Sequence, residues 1–242
     1  MSLQQWAGVP DWDPRATLAV LFTDIIDSTT LARTEGDGEM FDMLARHFEA
    51  ARNERMMHDA YEIKIIGDAY MVAFRTVDSA LRFALNFRAD TGDARIAIRI
   101  GIHVGPVRIK DDDIYGLMVN YAARLAHVRV PGEEGIFLSN SAKENIEAEY
   151  GSNQKLLRFV SVSGANLKGF PPGERVWDVI TPSIREARRD RIRAKAEQNQ
   201  SATSSSTANS LTAPLTRKER RRLNPARWES VVYGRPNDTN KK

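Results

Sequence analysis

From Ala16 the chain reads ATLAVLFTD, a nearly unbroken apolar and β-branched run that closes on a carboxylate. Such a run predicts a strand buried on both faces. Between Met40 and Asp59, the residues Phe41, Leu44, Ala45, Phe48, Ala51 and Arg55-Met56 recur at three- and four-residue spacing, which predicts a long amphipathic helix. Two short β-rich runs follow, 61–66 and 69–74, split by Gly67-Asp68, a dipeptide suited to a tight hairpin turn. A second helix is expected over 77–88, with Ala80, Leu81, Ala84 and Phe87 buried and Thr76 or Asp78 as cap. RIAIRIGIHVG alternates arginine with isoleucine and reads as a strand, with PVRI returning as its hairpin partner. A third helix over 117–129 carries Asn120 and Arg124 one turn apart, hence on one face. Shorter strands at GIFLS, LLRFV and RVWDVI complete the pattern. This order predicts an α+β fold: a ferredoxin-like βαββαβ core with an antiparallel sheet, helices mainly on one face, and additional C-terminal α/β elements.

Beyond Thr181 the periodicity lapses. SIREARRDRIRAKAEQ could form a helix but has only Ile184, Ile192 and alanines to bury, and NQSATSSSTANS is a low-complexity polar stretch. Residues 1–15 therefore read as an N-terminal extension, 16–180 as one folded domain and 181–242 as a basic, Ser/Thr-rich, disordered tail. Charge sharpens that division. Of a net +3, residues 181–242 carry 15 Lys/Arg against 6 Asp/Glu, or +9, which leaves −6 on the first 180. Trp228 beside RKERRRLNPAR makes an anionic partner conceivable for the tail, although a solvated basic tail is the simpler reading. The 242 residues contain no cysteine, no apolar run of membrane-spanning length and no secretory-type leader, so a cytoplasmic location is expected.

The chemistry gathers at strand ends. Asp24 closes the first strand and Asp68 sits on the following hairpin turn, with no lysine or arginine beside either. Converging carboxylates are costly unless a cation lies between them, and an oxygen-only donor set favours Mg²⁺ or Mn²⁺ over zinc. Taken singly, each aspartate could merely cap a turn or helix.

The set resembles the class III nucleotidyl cyclases, of the bacterial adenylyl cyclase type. The likeness rests on FTDIIDST, KIIGDAYMVAF, RIGIHVGPV, DIYGLMVNYAARL and LKGF, in the family's order, over about residues 16–180. The resemblance implies two metal ions, Mg²⁺ or Mn²⁺, held by Asp24, Asp68 and the backbone carbonyl of Ile25. It implies that Lys64 and Asp113 read the purine, that Asn120 and Arg124 position the ribose and stabilise the transition state, and that Lys168 holds the terminal phosphates. Ser28 and Thr29, where a helix begins, suit triphosphate oxygens. Asp27 has no counterpart role, and helix capping is expected of it. The region between Gly105 and Asp113 is shorter than in mammalian membrane enzymes, where it carries a phosphate-binding arginine; Arg108, or Lys110, stands in its place.

Adenine offers a donor at N6 and an acceptor at N1, so an Asp with a Lys complements it, and the expected substrate is ATP. In this family the metal-binding and base-reading residues of one site come from different subunits, which implies a head-to-tail homodimer. The expected function is conversion of ATP to 3′,5′-cyclic AMP and pyrophosphate. The alternatives are a guanylyl cyclase, against which Lys64 argues, and a catalytically silent nucleotide-binding module, against which the complete residue set argues. His103, addressed by no partner motif, is expected to be a packed strand residue.

Overall fold

The computed structural model describes residues 1–130, 134–150, 157–165, 167–171, 173–186, 189–190 and 192–194. The chain divides into a body, Met1–Ile192, and a second unit, Arg193–Lys242, of which only residues 193 and 194 are described. The expected disordered tail, 181–242, is described only in part: residues 182–186, 189–190 and 192–194 are helical, and Ile184 is buried in the main core, so its first residues are ordered. Its linker and basic cluster lie outside the described residues. No described helix is long and apolar enough to cross a membrane.

In chain order the elements are α1 (Leu3–Ala7), β1 (Arg15–Ile25), α2 (Ser28–Glu35), α3 (Asp37–Met56), β2 (Tyr61–Ile66), β3 (Ala69–Phe74) and α4 (Val77–Ala89). Then come β4 (Ile98–Lys110), β5 (Asp113–Tyr115), α5 (Leu117–Ala126), β6 (Gly135–Ser139), α6 (Asn140–Tyr150), β7 (Arg158–Ser161) and β8 (Val176–Ile180). The strands form one sheet in the order β2-β3-β1-β4-β6-β8-β7, with β5 paired to the far end of β4. All pairings are antiparallel except β4 with β6.

Alternation along β1 divides the core into layers. Ala19 and Leu21 face α3, α4 and α6, whose Met43, Phe48, Ala80, Phe83, Phe87, Ala142 and Ile146 fill the larger core. Leu18, Val20 and Phe22 face the other way, into a second core with Val119, Ala122 and Ala126 of α5, Leu3 and Trp6 of α1, and Ile109 and Ile114. The presence of Ile109, Ile114, Met71 and Ala73 in one cluster means that the β4–β5 hairpin folds back over this face toward β2.

Four expectations need correction. PVRI is not a returning strand: β4 runs unbroken through Pro106, opposite Thr17 of β1. On its other edge β4 meets β6 as far as Ile102 and β5 only from Arg108, so Pro106 falls in the gap, where a missing N–H is tolerated. The buried stripe of α3 is Met40, Met43, His47, Phe48 and Ala51, which leaves Phe41 and Ala45 exposed. Helix α5 ends at Ala126 rather than at 129, with His127 as its C-cap. A separate helix, α2, precedes α3; it buries no residue and so offers no apolar stripe to read. The β2–β3 hairpin matches its expected bounds, and Thr76 caps α4 through a hydrogen bond from Ser79 N–H.

Candidate active site

β1, a central strand, delivers Asp24 near one end of the sheet. Its direct cross-strand neighbour is Arg99 of β4, whose Nη2 lies 2.5 Å and Nε 3.1 Å from Asp24 Oδ2. The guanidinium is almost fully buried, so this is a charged hydrogen bond in a low-dielectric setting. The premise that no cationic residue accompanies Asp24 is therefore corrected: the partner comes from β4, 75 residues along the chain. The other carboxylate oxygen, Oδ1, lies 3.7 Å from His127 Nε2 at the end of α5. The β1–β3 register, continued two residues past Phe22↔Met71, sets Asp24 level with Ala69, next to Asp68 on the hairpin turn. Among the described residues no cluster of three or more His, Asp or Glu side chains suited to a metal occurs. Carboxylates at the end of β1 and on the β2–β3 turn, with the Ile25 carbonyl, would be an oxygen-only donor set, the chemistry that suits a hard divalent cation bringing further oxygen ligands with it.

On the opposite side of the hairpin, Lys64 of β2 donates to Asp113 Oδ2 in an ion pair, and Asp113 Oδ1 accepts from the Ile114 N–H at 2.8 Å. The β-bulge between Glu62 and Lys64 lies immediately before this contact on β2. Asp112, one residue away, faces α1 instead, accepting from the Leu3 N–H at 2.8 Å.

Asn120 and Arg124 are both exposed on α5. Arg124 lines a cavity of about 320 Å³ together with His127, Arg129, Lys168, Ser163 and Gly164. Three permanent cations and a histidine around one opening create a field suited to phosphate groups. Arg108 lines no part of this cavity; it stands at the β4–β5 end of the sheet, opposite Arg15 and Tyr115. Ser28 and Thr29 open α2. Asp27 occupies the N-cap position, but in the left-handed conformation (φ 53°, ψ 33°) and without a side-chain cap hydrogen bond, so the expected capping role is not what its carboxylate does.

A sequence model for the adenylate and guanylate cyclase catalytic domain matches residues 12–176. The chain belongs to this family. An adenylate cyclase of Neurospora crassa is 30% identical over 151 residues, which is 50% of this chain and 6% of that protein. Guanylyl cyclase C of Sus scrofa is 28% identical over 138 residues, 47% of this chain and 13% of that protein. The chain thus spans a small part of these relatives. A structure described as an adenylate cyclase from Trypanosoma brucei in its monomeric state superposes with a TM-score of 0.59 at 22% identity, covering 69% of this chain and 89% of that one, a likeness of fold. Cyclases named for either base stand among these relatives, so the choice of base rests on the side chains.

Within the cyclase domain, Arg99, His127 and Arg129 were not picked out from sequence. Only the β1–β4 register reveals Arg99, and only the end of α5 reveals the other two. His103 is a packed residue, as expected. It is nearly buried between β4 and α5, with its ring 4.7 Å from that of Tyr121, whose hydroxyl donates to Glu174 at 2.9 Å. Burial lowers its imidazole from the ordinary 6.5 to about 4. The folded state therefore resists protonation, and His103's contribution to stability is complete above pH 6.5 and is lost as pH falls toward 4. The expected loss is about 2 kcal/mol by pH 5 and about 3 kcal/mol in all. Urea melts between pH 7.5 and 5 should show a flatter profile for His103→Asn than for the parent; parallel profiles would contradict this origin.

Proposed function

We propose that the chain is an adenylyl cyclase, forming 3′,5′-cyclic AMP and pyrophosphate from ATP in a head-to-tail homodimer with two composite sites. The observation that carries this reading is the Lys64–Asp113 pair. An ammonium and a carboxylate held together at one point offer a donor and an acceptor to the N1 and N6 of adenine. Guanine, with its reversed pattern, would meet two mismatched groups, and leaving buried polar atoms unpaired is the most effective basis for rejection. Ile66, Tyr115 and Leu117, within two to four residues of this pair along the chain, are exposed apolar residues that suit burial against a second copy.

Two divalent cations, Mg²⁺ or Mn²⁺, held by Asp24, Asp68 and the Ile25 carbonyl, would lower the pKa of the ribose 3′-hydroxyl and neutralise the triphosphate. The chain's own side chains do the rest. Arg124 forks onto the α-phosphate as the new 3′-oxygen to phosphorus bond forms and the bond to pyrophosphate breaks. Asn120, one turn earlier, orients the ribose. Lys168, across the cavity from Arg124, holds the departing pyrophosphate, and the opening of α2 at Ser28 and Thr29 receives the remaining phosphate oxygens. Arg99 fixes the rotamer of Asp24 through Oδ2 and leaves Oδ1 as the less encumbered oxygen.

Product formation by the purified chain, assayed with ATP and with GTP in Mg²⁺ and in Mn²⁺, tests the reading. Cyclic AMP in preference to cyclic GMP is expected. The double variant Lys64→Glu, Asp113→Cys should lower kcat/KM for ATP by about a hundredfold or more and raise that for GTP. An unchanged preference would place base selection in other residues, and no cyclic product from folded protein would favour the silent binding module.

A further inference from the structure

Asp113 has little to hold it in place. β5 is three residues long and, among the described residues, pairs only with the end of β4. The turn that carries it, Asp111-Asp112, has both residues in the left-handed region, at φ 53° and 57°. The ion pair to Lys64 is itself 41% and 21% exposed at its two side chains, and a pair so placed contributes little rigidity. A selectivity device needs its polar groups held to a fraction of an ångström. Something else must fix this hairpin.

Helix α1 is in position to do so. Ser2 caps it in a capping box with Gln5, and Leu3 and Trp6 are fully buried against Val107, Ile109 and Ile114 of the hairpin and Met71 and Ala73 of β3. At one end the Leu3 N–H donates to Asp112 Oδ1. At the other, the Arg75 guanidinium donates to the Trp6 carbonyl and to Asp59 Oδ2, lies 5.1 Å from the centre of the Trp6 ring, and the Trp6 indole N–H donates to Asp59 Oδ1 at 3.3 Å. The Trp6 ring also lies 5.6 Å from that of Tyr61, the first residue of β2. The Tyr61 phenol is raised by burial and by the Asp112 carboxylate, so Asp112 is close to both α1 and β2. The helix thus bridges the two strands that carry Lys64 and Asp113.

We propose that α1 is a positioning strap for base selection, acting through Asp112 to hold the β4–β5 turn so that Asp113 meets Lys64 and the purine in one geometry. This deepens the adenylyl cyclase reading and rests on it. The residues involved touch neither phosphate nor ribose, so the effect belongs in nucleotide affinity and in discrimination rather than in the bond-forming step.

Three variants separate the strap from general loosening. Asp112→Gly removes the acceptor at a left-handed position that glycine adopts without strain. Asp112→Asn keeps both the acceptor and the left-handed preference. Asp111→Gly makes the same replacement at the neighbouring left-handed position without touching α1, since Asp111 is exposed and its carboxylate approaches Lys110 at 4.0 Å. Expected for Asp112→Gly are faster amide hydrogen exchange across 113–115, a rise in KM for ATP of about three- to tenfold with a matching loss of ATP over GTP discrimination, and a kcat within about twofold. Asp112→Asn and Asp111→Gly should stay near the parent in all of these. Exchange and KM in Asp112→Gly no different from Asp111→Gly would overturn the strap. If the parent chain instead makes no cyclic AMP, the adenylyl cyclase reading falls, while the exchange comparison still decides whether α1 holds the turn.

Discussion

Arg124→Ala is expected to lower turnover by about a hundred- to a thousandfold, the usual consequence of removing one preorganised donor to developing charge. Arg124 is exposed on α5 and lines the cationic cavity rather than the core, so its loss should leave unfolding transitions unchanged. Asp68→Ala should be at least as inactive, because half of the paired carboxylate site disappears. The informative experiment combines the two. In a head-to-tail dimer a site draws Asp68 from one chain and Arg124 from the other, so a heterodimer of the two variants contains one site with both residues intact and one with neither. Mixing two inactive preparations should therefore restore up to about a quarter of the parental activity per chain on statistical pairing, and the gain should depend on concentration in the manner of a dimer. Inactivity of a demonstrated heterodimer would exclude the shared site. Full activity of Asp68→Ala alone would remove the metal assignment.

Gly101→Ala is the second large effect. The β4 backbone passes so close to α5 that a Cβ at this position would lie 2.4 Å from the Ala126 nitrogen and 2.5 Å from the Ala122 carbonyl oxygen. Neither atom can swing aside as a side-chain tip would, so the helix must move. A cost of about 2 to 4 kcal/mol is expected in urea melts. Since α5 carries Asn120 and Arg124 and His127 caps it, a shift near an ångström should also lower turnover by about a hundredfold. Gly105→Ala is the control. There the nearest atoms belong to the flexible Met118 side chain, at 2.9 and 3.0 Å, and the effect should be smaller on both measures. Equal effects at the two positions would mean that α5 is not seated as described.

How far these features could be read beforehand depended on the range of the signal. The β2–β3 hairpin and α4 were legible because alternation, the Gly67-Asp68 turn and the Thr76 cap are all local. The register of α3 was not, because Phe41 and Met43 are both apolar and only packing decides which one turns inward. Arg99 illustrates the harder case. Its place in an alternating strand is visible, but its opposition to Asp24 depends on pairing β1 with β4, which no local pattern specifies. α1 was missed for a different reason. Ser2 and Gln5 stand at capping-box spacing ahead of Trp6, a usable signal, but a five-residue helix is too short to show a period. The proposed catalytic set came from five ordered motifs rather than from periodicity. The geometry then supplied what motifs cannot: which cations line one cavity, and which partner already holds Asp24.

The return of β5 toward β2 has a consequence for how copies of this chain can meet. A sheet with two open edges is a template on which a second sheet can add strand to strand. Here the β2 end is partly screened by the hairpin that folds across to it and by the charged Glu62 and Lys64 along the strand. The other end, β7, is only four residues long and begins with Arg158. Association by extension of the sheet is disfavoured at both ends, so a homodimer of the kind proposed would meet through side chains rather than through added strands.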